Sequence, residues 1–402
     1  MTARISTAGQ HYRSLNALLN AQSQLARTQQ QIASGKRVLT PADDPIGATR
    51  IQDLARQLSA SDQYLANNDV ARSRLSLEEQ ALADVSTAIT RIRELLVQGS
   101  TDTVDYESRQ MIRLEIEGRT QEILDIANRK DAQGEYLFSG LATLTQPFAR
   151  VAGVVTYFGD QSQRMQQVGE TQRVADGDSG AEVFGRIDEG NGTFVTGAAA
   201  ANTGSGSVSV GSLVDRAAWT GQSYTVQFTS ATDWQVVDSA VPTPNVVSTG
   251  TYKSGDAILF GGVSVAISGA PAAGDSFTVR PSGATDLFSS LDRLVSTFAT
   301  RTDTPAAKGQ WRTAVDGSLE QLDQAFDRIL EMRSSVGVRL NMLDVAQSAQ
   351  EDAALNFETL ISDVRDLDYA EAVTRLNVQY TGLQAAQKAI ANVGQLSLFD
   401  YL

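Results

Sequence analysis

The stretch Leu75-Ser-Leu-Glu-Glu-Gln-Ala-Leu82-Ala-Asp-Val85-Ser-Thr-Ala-Ile89-Thr-Arg-Ile92-Arg-Glu-Leu-Leu96 decides the fold class. Leu75, Leu82, Ile89 and Leu96 recur every seventh residue, with Val85 and Ile92 three places further on. A seven-residue apolar repeat lays one stripe along a helix and asks for a second helix to cover it. Leu54 keeps the register upstream, although Ser61 and Asn68 take the two intervening places. Asp44-Pro45 supplies an N-cap followed by proline at the first helical position, and Gly99 reads as a C-terminal stop. The spacing predicts a helix from about 45 to 98, roughly 80 Å long at 1.5 Å per residue.

Outward from that helix the pattern continues on both sides. Residues from about 105 to 129 place Ile112, Ile116, Ile123 and Ala127 on one helical face. Near the C-terminus Leu322, Ile329, Val336, Leu343, Phe357 and Val364 again keep seven-residue spacing, broken once by Gln350. Asp368 then opens a last helix, with Glu371 three residues on in the pattern of a capping box. Its stripe is Val373, Leu376, Tyr380, Leu383 and Ile390. Residues 9–33 offer only Leu15, Leu18, Leu19, Leu25 and Ile32 among many Gln, Ser and Ala. A helix with so little apolar surface is not stable alone. Both chain ends are therefore expected to order against partners. Leu15, Leu18, Leu25, Ile32, Val373, Leu376, Tyr380, Leu383 and Ile390 are the candidate protein–protein contacts.

Between the helical blocks, residues from about 150 to 285 turn rich in Gly, Thr, Ser and Val. Val154 to Phe158, then Gly159-Asp160, then Met165 to Val168 reads as a hairpin. Further strands are expected at Tyr224 to Phe228, Ile258 to Ile267 and Ser276 to Val279, while Ala198 to Gly211 reads as a flexible loop. The expected fold is mainly α with a β insert: a long antiparallel coiled-coil bundle formed by both chain ends, plus a small β domain in the middle. The expected parts are 1–44 with 367–402 as a terminal coiled-coil segment, 45–188 with 286–366 as a helical rod with a β-hairpin, and 189–285 as an outward β domain.

Charge and inventory then remove whole classes of function. A net charge of -14 repels phosphate backbones, so nucleic acid is not an expected partner. Cysteine is absent, which removes disulfides, thiol nucleophiles and Cys-ligated zinc. No apolar run reaches the roughly 20 residues that cross a bilayer, so no membrane insertion is expected. Met1-Thr-Ala-Arg-Ile-Ser6 lacks the apolar core of a cleaved secretory signal. The single histidine, His11, cannot make a two-histidine zinc motif and sits in a poor place for a catalytic triad. Ser34-Gly35-Lys36 lacks the upstream glycine of a phosphate loop, and Gly35 is better read as a helix stop. Asp43-Asp44 reads as capping, and Asn191-Gly-Thr193 is a chance-level glycosylation pattern. Asp176 and Asp178 beside glycines hint at a calcium loop, but Ile187 stands where the closing glutamate belongs. No catalytic residue, metal or cofactor is expected, and the chain is not expected to be an enzyme.

Specific motifs add a resemblance. Ile32-Ala-Ser-Gly-Lys-Arg-Val-Leu-Thr-Pro-Ala-Asp-Asp-Pro-Ile-Gly-Ala48 resembles the loop shared by flagellins and flagellar hook-associated proteins. Gly134-Glu-Tyr136-Leu-Phe138-Ser-Gly140, Tyr157-Phe-Gly159-Asp160 and Gly180-Ala-Glu-Val-Phe184 are similar to the later part of that N-terminal region. The ending Ser397-Leu398-Phe399-Asp400-Tyr401-Leu402 looks like that of the hook–filament junction members, which the whole set resembles more than flagellin. The likeness covers residues 1 to about 185 and about 310 to 402, and the insert resembles nothing recognisable.

The resemblance implies a structural subunit in which the terminal helices pair in the inner layer of a tube and the β insert faces outward. It implies export through the flagellar type III apparatus without a cleaved signal. The implied partners are hook-associated protein 1, flagellin, copies of itself in a ring, and an export chaperone on the C-terminal helix. Flagellin itself is the rival reading within the family. A surface adhesin or glycan-binding module in residues 190–285 is the rival outside it.

Overall fold

A computed structural model describes residues 7–101, 103–240 and 245–399. Among the described residues there are seven α-helices: α1 (Thr7–Ser34), α2 (Pro45–Ser100), α3 (Tyr106–Ala127), α4 (Gly180–Phe184), α5 (Leu287–Ala299), α6 (Pro305–Arg365) and α7 (Tyr369–Phe399). Among the same residues fifteen short strands lie between α3 and α5. The chain is therefore mainly α with a β middle, as its heptads and its composition require. It divides into two compact units, residues 1–66 with 346–402, and residues 67–345.

In the first unit α1 packs against α7. Along α1 the half-buried or buried positions include Leu18, Ala21, Leu25, Thr28 and Ile32. Along α7 they are Ala372, Leu376, Gln379, Leu383, Ala386 and Ile390. Both series advance by three and four residues, the spacing of a two-helix seam. Gly35 ends α1 at φ +71°, a left-handed conformation that glycine adopts without strain. Asp44 caps α2 by accepting from the Gly47 N–H at 2.8 Å, and Asp368 caps α7 by accepting from Ala370 at 2.9 Å and Glu371 at 3.1 Å. The two polar interruptions of the heptads meet here. The Ser61 hydroxyl donates to the Gln350 carbonyl at 3.0 Å and approaches its side-chain oxygen at 2.8 Å.

In the second unit the deciding stripe is buried as its spacing demands. Leu75, Leu82, Val85, Ile89, Ile92 and Leu96 are at most 1% exposed, and Leu322, Ile329, Val336 and Leu343 on α6 at most 2%. Asn68, the third polar interruption, donates its side-chain amide to the Leu343 carbonyl at 2.7 Å. Asp105 caps α3 by accepting from Ser108 at 2.8 Å. The expected stop at Gly99 is a different device. Gly99 lies inside α2, and a Cβ there would come within 2.4 Å of the Phe298 ring, so its small size admits α5.

The expected hairpin is mispaired. Val154–Tyr157 pairs antiparallel with Phe148–Val151, while Met165–Gln167 pairs with Arg173–Ala175. The turn is Ala152-Gly153 at φ +51° and +89°, both left-handed, as a two-residue hairpin turn requires. Gly159-Asp160 instead lies against the Ser139-Gly140 turn, where the Asp160 N–H donates to the Ser139 carbonyl at 2.9 Å. Phe148 joins Phe138, Phe184 and Phe288 in one aromatic cluster, with ring centroids 5.1 to 5.9 Å apart.

The insert is two antiparallel sheets. One runs in the order Val246–Thr251, Asp233–Asp238, Tyr224–Phe228, Ser276–Pro281, Phe194–Ala198. The other joins Ala257–Phe260, Val263–Ser268 and Ser207–Val208, with Ser212–Leu213 also on Val263–Ser268. Alternate residues such as Tyr224, Val226 and Phe228 point to a core that includes Phe194, Val265, Ile267 and Phe277. Residues 198–211, expected to be a flexible loop, are tied in place. Asn202 exchanges hydrogen bonds with the Ser276 backbone at 2.8 and 3.0 Å, and Asp275 accepts from Thr203 at 2.7 Å and Gly204 at 3.0 Å. Side chains here replace the pairing that a regular strand would supply.

The insert also lies against α6. Gln310 donates to the Ala199 and Ala200 carbonyls at 3.3 and 3.1 Å, and the Thr313 hydroxyl accepts from the Val208 N–H at 3.1 Å. Gln321 accepts from Gly190 at 3.2 Å and donates to Asp188 at 3.0 Å.

Candidate assembly surface

The α1–α7 pair leaves an apolar face uncovered. Tyr12, Leu15 and Leu19 on α1 are 71, 51 and 53% exposed, and Tyr369, Val373, Val378 and Tyr380 on α7 are 55, 45, 68 and 53% exposed. Of the nine sequence-predicted contacts, Leu18, Leu25, Ile32, Leu376 and Ile390 are half-buried and Leu383 is buried, on the inner seam. Leu15, Val373 and Tyr380 are on the open face. Tyr12 and Tyr369 are exposed as well and Val378 is exposed on the far side of α7 from Val373 and Tyr380, and the stripe read from the sequence did not include them. Small Ala372 and Ala386 carry the seam of α7, which rotates Val373 and Tyr380 outward. The side chain of His11, those of Ser397 to Phe399, and residues 400–402 lie outside the described residues.

The two connections beside this pair are fastened to each other. The Arg37 N–H donates to the Arg365 carbonyl at 2.7 Å, and the Leu367 N–H donates to the Gly35 carbonyl at 3.0 Å. Arg37 also donates its guanidinium to the Val364 carbonyl at 2.6 Å, and Gln31 donates its amide to the Arg37 carbonyl at 2.7 Å. Asp43 accepts from the Thr40 N–H at 2.9 Å, which holds its carboxyl below the ordinary carboxylate range, with Arg27 at 3.5 Å. The residues from Gly35 to Pro45 thus form a folded clasp, and Asp43-Asp44 serve it as acceptors and caps.

Asp176 and Asp178, the hinted calcium ligands, are engaged by arginines. Asp176 is fully buried and accepts from Arg164 at 2.8 Å. Asp178 pairs with Arg339 on α6 and accepts from Gln163 at 2.7 Å. Its N–H donates to the Glu78 carboxyl on α2 at 3.2 Å. Arg74 on α2 adds Asp131 at 2.6 Å and the Tyr136 carbonyl at 2.8 Å. Burial pushes the Glu78 carboxyl well above its ordinary range, and the neighbouring Asp178 raises it further while Arg339 lowers it. Among the described residues no group of three His, Cys, Asp or Glu side chains is placed to hold a metal. Nor is any described helix long and apolar enough to cross a membrane.

Comparison with known proteins follows the same division of the chain. The N-terminal helical region of bacterial flagellin matches residues 5–143, and its C-terminal helical region matches residues 319–402. Over 401 residues, 99% of either chain, the sequence is 25% identical to flagellar hook-associated protein 3 of Escherichia coli (strain K12). A crystal structure of flagellar hook-associated protein 3 from Legionella pneumophila is 33% identical, with TM-score 0.73 over 77% of this chain and 98% of that one. The chain belongs to the hook-associated protein 3 family. FlgL of Xanthomonas campestris is 36% identical, again with TM-score 0.73, over 77% of this chain and 99% of that one. The insert is not without relatives either, since residues 198–281 match the D2-like domain of flagellar hook-associated protein 1. In this hook-associated protein 3 family member the β domain therefore has a known counterpart, contrary to the reading of the sequence alone.

Proposed function

We propose that this chain is a structural subunit of the bacterial flagellum that joins the hook, through hook-associated protein 1, to the flagellin filament. The observation that carries the reading is the open apolar face of the α1–α7 pair. Tyr12, Leu15, Leu19, Val373 and Tyr380 leave on one two-helix element exposed apolar side chains of the kind that mark a protein contact. Relatives carry names that fit, including a flagellar junction protein from Legionella pneumophila that is 31% identical over 80% of this chain. Copies of the chain form a ring, and the terminal helices bury their open face against neighbours as they join. The action is mechanical and not enzymatic.

The chain leaves the cell by the flagellar export route without a cleaved signal, and an export chaperone covers α7 beforehand. Val373 and Tyr380 are the residues a chaperone would shield. Deletion of the gene followed by electron microscopy tests the reading. Bare hooks, with flagellin lost to the medium and filaments restored by the wild-type gene, are the expected result. Intact filaments in the deletion would refute it.

A further inference from the structure

Gln310 and Gln321 of α6, about three helical turns apart, hold the β insert at two points and leave a gap between them. Gln310 reaches the Ala199 and Ala200 carbonyls, and Gln321 reaches Asp188 and Gly190. Between the two glutamines α6 presents the small residues Ala314, Gly317 and Ser318. The result is a cavity of about 260 Å³, closed on its other sides by α5 and by the strand Phe194–Ala198.

That strand is the outermost of its sheet on this side. Register decides which of its backbone groups are already used. The Ala199 N–H donates to the Ser276 carbonyl at 3.0 Å, and the Thr193 carbonyl accepts from the Ser282 N–H at 3.0 Å. Backbone groups alternate in direction along a strand, so Thr193, Val195, Gly197 and Ala199 turn theirs toward Ser276–Pro281. Thr196 and Ala198 therefore aim their N–H and C=O groups the other way, where no described strand pairs with them, and both residues line the cavity. A sheet edge left in this way carries donors and acceptors that need partners.

The helices across the gap offer hydroxyls whose protons are committed. Ser290 donates to the Asp286 carbonyl at 2.9 Å, Thr297 to the Arg293 carbonyl at 2.9 Å, and Ser318 to the Ala314 carbonyl at 2.7 Å. All three line the cavity and are at most 9% exposed, and each has only acceptor capacity left. The charged residues of the lining, Glu189 and Arg293, lie 3.7 Å apart, and Glu189 is held by Arg280 as well at 2.7 Å. A complementary occupant donates to hydroxyl and carbonyl oxygens, accepts from backbone N–H groups and carries no charge. Hydroxyl groups do all of this.

We propose that the cavity is a binding site for a small neutral polyol of monosaccharide size, entered past Arg293, whose side chain is 58% exposed. An extended peptide is the other natural complement of a sheet edge. A strand laid along Phe194–Ala198 would run into Gln310 at one end and Gln321 at the other, so the gap takes a compact molecule instead.

Gly317 provides the test. A Cβ added there meets nothing within 4 Å, so Gly317→Leu fills the cavity without a clash, and leucine favours helix over glycine. Purified full-length chain is mixed in turn with glycerol, D-ribose, D-glucose, D-galactose and N-acetyl-D-glucosamine, and saturation-transfer NMR reads contact with each. Transfer to at least one of these is expected from the wild type, and its loss is expected from Gly317→Leu of unchanged circular dichroism. The methyl glycoside of a bound sugar distinguishes the source. Transfer to it admits the end of a glycan chain and its absence restricts the site to free sugars, and either supports the site. If Gly317→Leu does not fold, Ser290→Ala with Ser318→Ala removes two acceptors and is expected to weaken the same signal. Transfer to none of the compounds, or transfer that persists undiminished in the folded variant, would overturn the proposal and leave water as the occupant.

Discussion

Replacing Glu78 with Gln should change how stability responds to pH while leaving the fold intact. Glu78 is fully buried, one oxygen accepts the Asp178 N–H at 3.2 Å, and the other has no donor around it. The Asp178 carboxylate and the Arg339 guanidinium already pair, so a second negative charge would be uncompensated. Glu78 therefore holds a proton in the folded chain that the unfolded chain releases above about pH 4.3. The folded value is raised, so this contribution is fully present below the unfolded value and is lost as pH rises toward the folded one. The slope is up to about 1.4 kcal/mol per pH unit. Gln imitates the protonated acid, with an oxygen for the Asp178 N–H and an amide that can donate to the Asp178 carboxylate. Chemical unfolding of wild-type and Glu78→Gln full-length chains, followed by circular dichroism, should give similar stabilities near pH 5. The variant should then gain on the wild type as the pH rises above that, for as long as the folded Glu78 keeps its proton. Parallel pH profiles for the two proteins would refute a protonated Glu78.

Asp178→Ala leaves Arg339 buried without its carboxylate and should cost about 3–5 kcal/mol, read as a shifted unfolding midpoint of the full chain. Leu383→Ala should loosen the α1–α7 seam by roughly 2–4 kcal/mol, seen as lost helicity on mild heating. Tyr380→Asp, on the open face, should leave that helicity unchanged and abolish filaments. Ser61→Leu with Gln350→Leu exchanges a polar pair for apolar contact and should raise the melting temperature of the first unit, where α2 meets α6. The same variant should sediment as larger species, because the hydrogen bond that fixes register is gone.

Much of this fold was legible because helical periodicity is local. Leu75 to Leu96 announce a seam whatever covers it, and caps such as Asp44 and Asp368 act within four residues of themselves. What was missed depends on partners far along the chain. Ser61 and Gln350 read singly as faults in two heptads, yet they are 289 positions apart in sequence and bonded to each other. Asp176 and Asp178 look like loop ligands until Arg164 and Arg339 are placed beside them. The hairpin was mispaired because Ala152, in a left-handed conformation, is not the residue that a turn of this kind normally takes. On α7 the five large apolar residues were assigned to one stripe. The seam instead takes in Ala372 and Ala386 beside Leu376, Leu383 and Ile390, while Val373 and Tyr380 of that stripe face away.

The β insert enters and leaves the helical part of the chain through strands that are paired with each other. Ile187 faces Thr285 and Asp188 faces Ala284, so the two ends of a domain of nearly a hundred residues stand side by side. A segment whose ends already touch can be exchanged for another, or shortened to a tight turn, without moving the helices on either side. The junction between Asp188 and Ala284 is thus a natural splice point. It gives a physical route by which the helical frame could stay fixed in a lineage while the β domain was replaced, trimmed or borrowed. Gln310, Thr313 and Gln321 mark what any newcomer must satisfy, since those α6 side chains would otherwise face the graft without backbone to bond.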